Sequence, residues 1–283
     1  MRSLTPELKK TFAIVLGLLF VAAVGGAAFV WSGVYNIAAS SPHTQAVYSM
    51  LEKTMQQSVR LRARNIEPPA LDAPGLFERG AACYQHRCQL CHGGPSVAQD
   101  DIALGMQPLP GPLVDANLRW KARELYWITR NGITMSGMPA WKLQLADNDI
   151  WALVSFVQRL PQLSPTEYRQ LMTAKRGERC GIDEATAGIL PGDTKRGLSA
   201  LAQYGCNGCH RIPGVTGAAV DVGPPLAGMA RRQLIAGQIA NTQEAMVLWI
   251  RDPQSVDPRT AMPNLRVTEP DARDIAAYLA TLL

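Results

Sequence analysis

Two short runs in the chain repeat one five-residue pattern, Cys88-Gln89-Leu90-Cys91-His92 and Cys206-Asn207-Gly208-Cys209-His210. Two thiols at that spacing lie on one turn of chain and can add to the two vinyl groups of a heme, and the histidine that follows can turn its imidazole to the iron. Covalent attachment through Cys88, Cys91, Cys206 and Cys209 and one axial ligand per site, His92 and His210, therefore come from ten residues. A lone Cys-x-x-Cys serves zinc or thiol exchange just as well. Two copies, each ending in histidine and each followed at a similar distance by Met-Pro, favour heme c at both, two covalently bound groups in all.

The second axial ligand should be a downstream thioether or imidazole. His43 and His86 are the remaining histidines, and neither is well placed, one lying far upstream and one six residues before His92. Met138-Pro139 follows His92 by 46 residues and Met262-Pro263 follows His210 by 52. Met135 and Met106 compete with Met138 in the first half. Pro139 and the small neighbours Gly137 and Ala140 favour Met138, because they suit an extended loop that brings sulfur over a flat ring, whereas Met135 has no proline after it. Iron held by His and Met has no open position for substrate, and the thioether favours the ferrous state, so such a site carries single electrons.

The two halves agree beyond these motifs. Arg79-Gly80 matches Arg196-Gly197, Pro112-Leu113 matches Pro225-Leu226, Trp127-Ile128 matches Trp249-Ile250, and Leu153 to Phe156 matches Ile275 to Tyr278. The chain is expected to hold two copies of one domain, residues 71–165 and 192–283, joined by a linker over 166–191. Trp127 and Trp249 with Arg130 and Arg251 are either helix core with solvated charge or the surroundings of heme propionates, since the planar guanidinium fork suits carboxylates.

On these motifs each half resembles a class I cytochrome c domain. The resemblance implies an all-α fold, three to five helices wrapped around a heme held by His and Met. It also implies a proline carbonyl that accepts the Nδ1 hydrogen of the axial histidine, a role for which Pro112 and Pro225 are the candidates, with Pro108 and Pro110 as competitors in the first half. The whole chain is similar to the membrane-anchored diheme cytochromes c of bacterial respiratory chains. That likeness implies an electron-transfer protein rather than an enzyme, working between a quinol-oxidising complex or dehydrogenase and a terminal oxidase. Two rivals remain, a diheme peroxidase, which would need one iron with a vacant face, and a permanent heme subunit of a dehydrogenase or oxidase.

The elements that position these sites begin with an apolar run. Arg2, Lys9 and Lys10 precede the uncharged stretch Phe12 to Trp31, and 20 residues of helix span roughly 30 Å, the thickness of a bilayer core. A transmembrane anchor is expected over 11–31, with residues 1–10 cytoplasmic and the rest in the periplasm of a bacterial inner membrane. A signal peptide cleaved near Gly25 to Ala28 is the alternative. Residues 32–70 read as a linker helix with apolar Val47, Leu51, Met55 and Val59 on one face, ending in Arg60, Arg62 and Arg64 before Pro68, Pro69 and Pro74 break it.

Composition excludes several classes. With 47% hydrophobic and 18% charged residues among 283, the chain can bury cores and is not disordered. The net charge of +5 sits almost wholly in residues 1–70, so the basic balance describes a chain at a membrane surface and gives no support to a nucleic-acid partner. Cys83 and Cys180 are left over from the motifs. In an exported chain they are either two buried thiols or a disulfide, which would close a loop of about 100 residues, worth on the order of 4.7 kcal/mol.

Overall fold

The computed structural model of the chain describes residues 5–175, 178, 180–181 and 191–283. Residues 1–54 and 55–283 are two compact units. The first begins with α1, Pro6–Ser32, where Pro6 opens the helix and Gly33, at φ 63°, closes it with its N–H on the Val30 carbonyl. An 18-residue window in it reaches a mean hydropathy of 2.6, which makes it the one helix among the described residues long and apolar enough to cross a membrane. Beyond it the Tyr35 ring stacks on His43, with the hydroxyl 2.5 Å from Nδ1. Helix α2, Gln45–Ala63, runs across the division, and its last turns bury Val59 and Ala63.

The second unit holds two helical layers with the same plan. In the first, α3 (Leu76–Arg87), the short α4 (Gln89–His92), α5 (Asp101–Leu104) and α6 (Ala116–Arg119) lead to α7 (Ala122–Asn131) and α8 (Asp147–Arg159). Helix α8 forms because Asp147 and Asp149 meet its positive N-terminus and Ile150, Leu153, Val154 and Val157 make one buried stripe. It crosses α3 at Gly80, where a Cβ would lie 2.0 Å from the Ala152 carbonyl oxygen, and Arg79 closes the crossing on Asp149. Helix α9, Pro165–Ala174, starts in a Ser164–Glu167 capping box and buries Tyr168 and Met172 in the same core. The first domain's packing therefore continues past residue 165.

The second copy repeats the crossing. Helix α10, Thr194–Gln203, is capped by the Asp193 side chain, and α11 (Gln243–Arg251) and α12 (Pro253–Val256) precede α13 (Glu269–Leu279). A Cβ on Gly197 would lie 2.0 Å from the Asp274 carbonyl oxygen, while Arg196 pairs with the Asp274 carboxylate at 2.6 Å and with Asp271 at 3.6 Å. The Arg-Gly pairs seen in the sequence are thus the seats of two equivalent helix crossings. Among the described residues the fold is all-α apart from a hairpin of two two-residue strands, β1 (Leu234–Ile235) against β2 (Ile239–Ala240). Cys83 on α3 and Cys180 are joined by a disulfide with Cα atoms 5.0 Å apart.

Candidate functional site

Each Cys-x-x-Cys-His run is one tight turn at the end of its domain's first helix. The Cys88 carbonyl accepts from the N–H groups of Cys91 at 3.0 Å and His92 at 2.8 Å, and the Cys206 carbonyl accepts from Cys209 at 3.2 Å and His210 at 2.9 Å. The four thiols are free. Burial pushes the Cys88 thiol up to about 12 and Cys206 to about 11, so both stay protonated at neutral pH. Among the described residues no three His, Cys, Asp or Glu side chains converge as a metal site.

The two imidazoles are oriented alike. His92 Nδ1 lies 2.7 Å from the Gly111 carbonyl oxygen, and His210 Nδ1 lies 2.7 Å from that of Pro224. A carbonyl only accepts, so Nδ1 carries the hydrogen in both rings and Nε2 keeps its lone pair for a metal. Burial lowers the His92 pKa despite that hydrogen bond, which keeps the ring neutral as a ligand must be. The expected acceptors, Pro112 and Pro225, are each one residue too late. The accepting oxygen belongs to the residue before the proline, and the ring contributes by holding that residue extended. Pro108 and Pro110 are not the acceptors either.

Several residues that the sequence did not single out build these turns. Gln99 Nε2 donates to the Cys91 carbonyl at 2.8 Å and to that of Pro110, tying the attachment turn to the segment that faces the histidine. Tyr84 donates to the Gly93 carbonyl at 2.9 Å, and Tyr168 lies so close over Gly94 that a Cβ there would meet its ring at 2.3 Å. In the second domain a Cβ on Gly223 would lie 2.4 Å from the His210 ring. That glycine lies flat beside the imidazole, and its only sequence signal is its place before Pro224-Pro225.

The methionine loops share a device. The Ser136 hydroxyl accepts from the Met138 N–H at 3.2 Å, and the Thr260 hydroxyl accepts from the Met262 N–H at 3.2 Å. A hydroxyl two residues before each methionine was readable in the sequence as part of the repeat. Met138 and Met262 are both half-buried, and Met106 lies against Gly137 in the first loop. Met135 is 93% exposed and stands at φ 61°, a left-handed position that turns its side chain out. Trp127 and Trp249 are half-buried on α7 and α11. Arg130 pairs with Asp147 at 3.0 Å and Arg251 with Glu269 at 3.4 Å, so the first arginine ties α7 to the start of α8 and the second ties α11 to the start of α13.

These donors suit heme c. Two thiols three residues apart, an imidazole with a free Nε2 and a half-buried thioether are the right set, and His92 faces a cleft of about 450 Å³ lined by Gly94, Val97, Leu104, Pro112 and Val114. Cys88, Cys91, His92 and Met138 would hold one group and Cys206, Cys209, His210 and Met262 the other.

Comparison with known proteins points the same way. Residues 75–157 match the family described as cytochrome c oxidase, cbb3-type, subunit III, and residues 195–283 match the family described as cytochrome c. A stretch of 88 residues is 36% identical to a protein named cytochrome c oxidase subunit 2 from Alkalihalophilus pseudofirmus. That match covers 31% of this chain and 25% of the relative, so the chain spans about a quarter of that protein's length. No solved structure matches the chain.

Proposed function

Since the chain holds two cytochrome c domains in tandem behind an apolar N-terminal helix, the organisation of a membrane-anchored diheme cytochrome c, we propose that it relays single electrons between respiratory partners. Heme c, when bound, supplies a one-electron couple at each site. The protein's part is to attach and tune it. Cys88, Cys91, Cys206 and Cys209 would attach the two groups through thioethers, His92 and His210 would offer Nε2 to the iron, and Met138 and Met262 would offer their sulfurs as the further ligands. The observation that carries the reading is the doubled geometry, an Nδ1-to-carbonyl distance of 2.7 Å at both histidines and a hydroxyl-braced methionine in both loops.

Arg2, Lys9 and Lys10, ahead of the uncharged run that starts at Phe12, support a cytoplasmic N-terminus and heme domains on the periplasmic side of a bacterial inner membrane. An anchor raises the effective concentration of the pair at integral complexes without any new contact. The electron donor in this reading is a quinol-oxidising complex or a dehydrogenase, and the acceptor is a terminal oxidase. The oxidase-subunit family that matches residues 75–157 supports the acceptor side and favours a second reading, a heme subunit fixed within an oxidase. The two methionine loops argue against a diheme peroxidase, which needs an open iron.

A redox titration with visible and near-infrared spectroscopy on intact membranes tests this. Two heme c groups, each low-spin with a sulfur-to-iron charge-transfer band, are expected. A high-spin heme that turns over peroxide overturns the carrier reading, and co-purification of oxidase subunits in mild detergent separates a fixed subunit from a free relay.

A further inference from the structure

The two methionine loops differ in length. From Met138 to Leu145, the buried residue before α8, the chain advances seven positions, and from Met262 to Val267, the buried residue before α13, it advances five. The first loop spends its excess on a 3-10 turn, Trp141–Leu143. Leu145 joins the core of its own domain with Ile150 and Leu153. Leu143, two residues earlier and 3% exposed, does not. It belongs to the buried cluster of the second domain with Leu201, Ile212, Met246 and Ile275.

The surroundings of the turn explain why it holds. Its base is fixed in the first domain, where Arg87 lies over the Trp141 ring at 5.7 Å and donates to the Cys180 carbonyl at 3.4 Å. Its tip meets α10, because a cleft of about 250 Å³ beside Leu143 is lined by Arg130 and Lys142 on one side and by Asp193, Lys195 and Arg196 on the other. That rim places cations on both faces, with Arg130 and Arg196 already engaged by Asp147 and Asp274. Charge on the rim therefore gives little attraction across the seam, and the buried leucine supplies what attraction there is.

We infer that Leu143 is a positioning residue that docks the two domains, linking the loop that carries Met138 to the core behind His210 so that the two electron sites exchange at fixed separation. This rests on the heme-binding reading of both sites. The test uses the full chain in detergent, with Leu143→Ala, Leu143→Asn and the conservative Leu143→Met. Heme content and the sulfur-to-iron bands report the two sites, pulsed EPR between the ferric hemes reports their separation, and flash reduction reports exchange between them.

Both hemes and both bands should persist in all variants. Exchange should fall at least tenfold in Leu143→Ala, because truncating a buried leucine removes more interaction than a tenfold step in docking requires. The distance distribution should broaden with it, and Leu143→Met should stay within roughly twofold of the parent. A parent protein without two hemes defeats the functional reading. A parent that exchanges electrons while Leu143→Ala matches it in rate and distance overturns the docking role. If Leu143→Asn does not accumulate, the comparison of Ala with Met decides the matter alone.

Discussion

At the scale of single residues, the attachment motifs and the Met-Pro pairs were legible because covalent and ligand chemistry is set by side-chain type. The acceptor carbonyls were not, because a backbone oxygen carries no residue signature, and Gly111 and Pro224 do the same work with unlike side chains. Conformation supports Met138 over Met135 as the ligand, with Met135 facing solvent and Met138 half-buried behind Ser136. Met138→Ala should therefore abolish one sulfur-to-iron band and lower one potential by a sizeable part of the roughly 0.8 V that axial ligands span. Met135→Ala should leave both potentials in place, as read by spectroelectrochemistry. Gly223→Ala should displace the His210 ring and reduce heme incorporation to about one per chain, measured by heme stain against protein mass, since no rotamer removes a Cβ.

At the scale of elements, the repeat in the sequence correctly located both helix crossings but not what makes them necessary. Gly80 and Gly197 are required because the partner helix backbone passes within van der Waals reach. Gly197→Ala should cost about 3 kcal/mol in denaturant unfolding, the upper end of overpacking costs, because the obstacle is a carbonyl rather than a movable side chain. The start of α10 makes a second prediction. Its Asp193 carboxylate accepts from the N–H groups of Arg196 and Lys195, which hold it below the usual carboxylate range. A depressed folded pKa stabilises above the unfolded value near 3.9 and is lost as pH falls through the folded one. Asp193→Asn caps without charge, so the acid limb of its stability curve should be flatter than that of the parent below about pH 4, as followed by circular dichroism.

At the scale of the whole molecule, the order of anchor, domain and domain was readable from hydropathy and repetition, whereas the seam between the heme domains was not. Leu143 looks like any loop leucine until its neighbours are known, and α9 falls in a stretch whose composition reads as a linker although Tyr168 is wholly buried in the first core. Periodicity reports that a face is apolar and leaves open which surface covers it. The disulfide spans 97 residues, and its removal in Cys83→Ala should lower unfolding free energy by up to about 4.7 kcal/mol, measured against the oxidised parent in a denaturant series. Heme content should be unchanged, because neither sulfur touches the attachment chemistry.

That same bond sets an order of events during biosynthesis. On the proposed reading, in which the chain beyond α1 crosses the membrane in sequence order, Cys180 emerges 97 residues behind Cys83. Through that interval Cys83 waits as a thiol five residues ahead of Cys88, beside the two sulfurs that must stay reduced for attachment. The first site is thus complete in sequence before its staple can close.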